Sequence, residues 1–181
     1  LFTYNLPMTT TFITSIICLG STISLIYLFR NEALEYRFLD FAYSSKIYRS
    51  ILTVIAFITG YLSGFLELNT QLKLQDGNST VLRAGLGCYH LVFSAFIIHF
   101  FIRGKSASAY LFPAVLGFGN FALYFLNINN LPFEGLRNSI IYNSENGIVF
   151  LLHYFSLIAF VYGSILILYH IVKGENFESS T

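Results

Sequence analysis

The residues of this chain able to do chemistry are few. They are four histidines, His90, His99, His153 and His170, one carboxylate in an apolar run, Glu67, and two cysteines, Cys18 and Cys88. Histidines on facing helices are the axial ligands of b-type haems, and they can also relay protons. For two haems, each helix must turn both of its rings to one interior. At ~100° per residue, the steps from His90 to His99 rotate a helix by about 180°, so those rings point to opposite faces. The steps from His153 to His170 give about 260° and a rise near 25 Å, against about 13 Å for the first pair. A two-haem arrangement fails on this geometry. A single haem b between His90 and His153 remains a candidate, because the two rings lie at the same place in their apolar runs, counted from Ala84 and Gly147. The competing expectation is that these two rings hydrogen-bond to hydroxyls or carbonyls inside a bundle, with His99 and His170 near the inner interface.

Glu67 closes an apolar run that also holds Gly60 and Gly64, a G-x-x-x-G pair on the same helical face. Two glycines one turn apart let another backbone approach closely, so both are expected to serve helix packing. An intramembrane carboxylate is costly and by default functional, but Asn69, Gln71 and Lys73 follow at once. That neighbourhood places Glu67 at an interface. Cys18 and Cys88 match no metal or redox spacing, and both are expected as small core residues. No metal-protease, nucleophile-elbow or phosphate-loop motif is present, so no catalytic residue is assigned and an enzyme is not expected.

The elements that position these residues follow from composition. Hydrophobic residues make up 55% of the 181 and charged residues 10%, where a soluble domain carries roughly 25% charge. The expected fold is all-α, a polytopic transmembrane bundle of about five spans in a single membrane domain, 1–181. A net charge of +1 without a basic stripe sets nucleic acid aside as a partner, leaving the lipid bilayer and other membrane helices or subunits. Tyr, with no Trp in the chain, must anchor the interfaces alone.

The spans are expected near 8–29, 50–68, 84–102, 107–126 and 147–172, each close to the ~20 residues that cross the hydrocarbon core. The first is rich in hydroxyls, which bond back to their own helix or across to a neighbour, so it is expected to pack against protein. Residues 32–44 carry charges of both signs with Leu34, Phe38 and Phe41 at helical spacing, which suggests an interfacial helix. Asp76-Gly77-Asn78 reads as a turn, and Asn78 opens a glycosylation sequon that matters only in a secretory pathway. Pro113, Gly117, Gly119 and Asn120 should kink the fourth span, the stretch 127–146 reads as a loop, and 173–181 as a disordered tail. The start at Leu1 reads as processing or as part of a longer chain. Seven Lys and Arg against three favour an N-terminus outside and a C-terminus in the cytoplasm.

From Ser79 onward the order is a span, the basic turn Arg103-Gly104-Lys105, a second span over 107–126, a polar stretch and a last span from Gly147. Leu6-Pro7 leads into the first span, and Glu67 closes the second. This order resembles the C-terminal part of a large bacterial family of many-spanning membrane proteins of unknown function. The family's usual Trp is missing here, and 127–146 is longer than its compact final link. The resemblance implies a helical membrane fold and brings no catalytic residues. The function expected is a structural or assembly component, or a fragment, of a larger membrane complex. The alternatives are a transporter or permeation component using the kinked fourth span and Glu67, and a single-haem electron carrier through His90 and His153.

Overall fold

The computed structural model describes residues 10–29, 35–38, 41–75, 79–102, 108–142 and 147–178. Leu6-Pro7, Arg30, the turn Asp76-Gly77-Asn78 with its sequon, the basic turn Arg103-Gly104-Lys105 and residues 179–181 lie outside them. The chain forms two compact units, Leu1–Gln71 and Leu72–Thr181. The described residues are helical apart from a short hairpin.

The first unit holds α1 (Thr10–Leu28), the hairpin strands β1 (Glu35–Phe38) and β2 (Phe41–Ser44), and most of α2 (Ser45–Gln75). In α1, Thr14, Ser21, Thr22 and Ser24 donate to the carbonyls of Thr10, Ile17, Cys18 and Gly20 at 2.8–2.9 Å. The hydroxyls thus satisfy themselves on their own helix, as an apolar setting requires. None of the α1 side chains described is buried, and Cys18, expected in a core, is exposed.

The interfacial helix expected over 32–44 is replaced by the hairpin. Tyr36 pairs with Tyr43 and Phe38 with Phe41 in antiparallel register. Aromatic types alternate with Glu35, Arg37, Ala42 and Ser44, a period of two that suits strands; the helical spacing of Phe38 and Phe41 was shared by both patterns. The second span is also longer than 50–68. Helix α2 runs 31 residues, because Asn69, Thr70 and Gln71 continue the helix through its polar end instead of breaking it.

The second unit is built on α3 (Ser79–Ile102). Its buried residues include Val81, Ala84, Cys88, Leu91, Ala95, Ile98 and Ile102, spaced alternately by three and four, the seam of two helices crossing at a shallow angle. Many are small, so the neighbouring backbone comes close. That neighbour is α6 (Gly147–Glu178), which contributes Val149, Ser156, Ala159 and Gly163 to the seam. Helix α4 (Ser108–Leu123) returns beside them, and its Pro113 is buried inside it. A π-helical turn, Tyr124–Ile128, follows directly. It is the distortion expected from the fourth span, placed after the Pro-Gly-Asn stretch instead of within it.

Two further expectations are corrected. The loop over 127–146 contains α5 (Leu131–Tyr142), with Pro132 in its first turn, where no intrahelical N–H is lost. The disordered tail from 173 is helical to Glu178, as part of α6. Among the described residues, three stretches are long and apolar enough to cross a membrane: Ile47–Leu74, Ser79–Ile102 and Gly147–Lys173. Phe12–Leu28 is apolar but shorter. A membrane location fits these helices.

Candidate functional site

Each unit carries a concentration of polar groups. In the first, α1 and α2 leave a cleft of about 450 Å³ lined by Phe12 and Ser15 from α1 and by Thr59, Ser63, Glu67 and Thr70 from α2. The α2 residues recur every three or four positions and so share one helical face. Ser63 donates to the carbonyl of Thr59 at 2.6 Å, and Thr70 to that of Leu66 at 2.9 Å. The Gln71 amide, one turn beyond Glu67, donates to its Oε1 at 2.8 Å. Glu67 is half-buried. Gly60 and Gly64 lie on the same helix. A Cβ at Gly60 would stand 3.8 Å from the Leu19 side chain of α1, and Gly64 is half-buried.

In the second unit a polar seam runs between α3, α4 and α6. Ser156 is fully buried; its hydroxyl donates to the Leu152 carbonyl at 2.7 Å and is also joined to the Cys88 thiol. His90 is hydrogen-bonded to the side chain of Asn120 on α4. Asn120 is itself 5% exposed, and its Oδ1 has no partner. Nδ1 of His153 is likewise buried without a partner.

The two haem-ligand candidates have different neighbours. His90 is tied to Asn120, whereas the His153 ring lies against Tyr124, with centroids 5.9 Å apart and planes at 27°. Tyr124 in turn stacks on Phe160 at 4.9 Å with planes at 2°. The aromatic side chain of the π-helical turn thus lies between the rings of His153 and Phe160 as a stacking partner of both. Tyr162 and Nδ1 of His99 are 2.7 Å apart, and His170 meets Tyr169 edge to face at 5.3 Å. Among the described residues, no group of three His, Cys, Asp or Glu stands ready for a metal ion.

The sequence reading singled out Glu67, His90 and His153 and missed what surrounds them. Asn120 was read only as an interruption of the fourth span. Ser156 and the α2 hydroxyls beside Glu67, those of Thr59, Ser63 and Thr70, were not read at all. Small and polar residues at heptad spacing were the signal available, since in a helix apolar all round hydrophobicity marks no face. At the end of this unit, Arg83 pairs with Glu134 at 3.1 Å and bonds Asn127 at 2.8 Å, which ties α3 to the π-helical turn and α5. The chain matches no protein-family model, no curated protein and no solved structure.

Proposed function

We propose that the chain is a structural or assembly component of a membrane complex, embedded through its apolar helices and joined to other membrane helices. One observation carries this reading. The most apolar window of α2 has none of its residues buried, whereas that of α3 is 39% buried. Helix α3 is served within the chain. Helix α2 carries the half-buried Gly64 and the exposed side chains of Ile51 and Ile55, a surface able to take a helix from outside the chain. The Lys and Arg balance further supports an N-terminus outside and a C-terminus in the cytoplasm.

The test is extraction from the native membrane in a mild maltoside, followed by a native gel and mass determination of each band. The reading expects a complex of fixed composition that Gly64→Leu dissociates. Gly64 is chosen over Gly60 because Leu19 of the same chain already stands beside Gly60. A wild-type chain that migrates alone, or a complex indifferent to Gly64→Leu, refutes it.

A further inference from the structure

We propose that the cleft between α1 and α2 is a binding site for a small organic ammonium group, held at Glu67 with its alkyl part against Phe12, Leu62 and Leu66. This goes beyond the assembly reading and does not depend on it. The argument starts from the direction of the hydroxyl protons. Ser63 and Thr70 each give theirs to the helix backbone, so each turns only lone pairs outward. Both line the same cleft as Glu67, and a carboxylate offers acceptors alone. Of the polar lining, Ser63, Thr70 and the Glu67 carboxylate thus present acceptors, which selects against anions and in favour of a cation that donates.

Size and the remaining wall choose among cations. A volume of about 450 Å³ falls in the range of small-molecule sites and is far larger than a bare alkali ion. Phe12, Ile58, Leu62 and Leu66 complete the lining, a surface that suits carbon and gains nothing from a hydrated ion. An alkylammonium matches both halves. Its N–H groups reach the Glu67 carboxylate and the Ser63 and Thr70 oxygens, and its methylenes cover the apolar wall. Gln71, donating to Oε1, holds the carboxylate in one orientation. The same chemistry is presented by a soluble amine and by the headgroup of phosphatidylethanolamine.

Two arms separate these sources. In the first, the full-length chain in maltoside is titrated calorimetrically with n-butylammonium and with n-butanol. Saturable binding of the amine is expected, at least tenfold weaker in Glu67→Gln, in keeping with loss of a charge-assisted hydrogen bond. In the second, the chain is reconstituted in vesicles of equal phosphatidylethanolamine and phosphatidylglycerol, and retained lipid is read by native mass spectrometry. Selective phosphatidylethanolamine retention that Glu67→Gln abolishes assigns the headgroup; amine binding without retention assigns a soluble amine. Leu62→Trp, which fills the cleft and keeps the carboxylate, is expected to abolish either signal and decides the matter should Glu67→Gln fail to fold. Equal affinity for n-butanol, unchanged binding in a folded Glu67→Gln or Leu62→Trp, or no binding in either arm overturns the proposal.

Discussion

Gly163 offers a sharp test of how α3 and α6 are held together. A Cβ placed there would meet Cδ1 of Ile98 at 3.4 Å, the Cα of Ala95 at 3.9 Å and its Cβ at 4.0 Å. The added methyl therefore fits against α3 without moving backbone. Each such contact is worth roughly 0.1–0.2 kcal/mol, so Gly163→Ala should gain about 0.3–0.6 kcal/mol. The further gain of ~1 kcal/mol that alanine brings to a helix in water is not added, because membrane helices separate without unfolding, so propensity cancels between the two states. Gly163→Leu behaves oppositely. Its branched end has no room beside the Ala95 backbone, and the overpacking should cost about 1–3 kcal/mol. The assay is reversible unfolding in mixed maltoside and dodecyl sulfate micelles, followed by Tyr fluorescence. A Gly163→Ala protein destabilised by more than about 1 kcal/mol, or a Gly163→Leu protein as stable as wild type, would refute this account of the seam.

Three other outcomes follow from the same structure. Leu91→Ala, at a position with no exposure, removes roughly 75 Å³ of side chain and should cost about 2 kcal/mol at ~24 cal/mol per Å³ of cavity; the same micelle titration reads it. A double-mutant cycle on His90→Phe and Asn120→Leu should give a coupling of about 0.6 kcal/mol, because a separated membrane helix also finds polar partners. A coupling near zero would mean the two side chains are independent. Arg83→Ala should cost no more than about 1 kcal/mol, since Arg83 and Glu134 are nearly half exposed and such pairs are weak. Raising the salt concentration should shrink that difference further, measured as a shift in the unfolding midpoint.

The sequence made the long apolar helices legible because a run of about 20 apolar residues has few alternatives. Gly147 marks the start of α6 both as a break in the sequence and in the structure. Helix α5 was hidden by its own composition: Pro132, Glu134 and Arg137 read as loop residues, while its order depends on Leu131, buried in the core, and on the distant Arg83. The stretch 35–44 was ambiguous, because its aromatic residues satisfy a period of two and a helical spacing together. Local pairing decided for the hairpin. At the candidate sites, Glu67 stood out by charge within an apolar run. Its surroundings did not, because Ser15 lies on α1 and meets the cleft only when two helices come side by side. The link between His90 and Asn120 was invisible for the same reason, and heptad-spaced small residues were the cue that went unused.

The pairing of α3 with α6 also sets a clock. Helix α3 is complete at Ile102, and its main partner begins only at Gly147. At 5–20 residues per second, a ribosome needs roughly two to nine seconds to bridge that interval. For that time the face bearing Ser94, Leu91 and Ile98 has no α6 to cover it. The hairpin partner α4 emerges first and can shelter only part of it. A lipid-inserted α3 is thus, for seconds, a helix with an open small-residue seam.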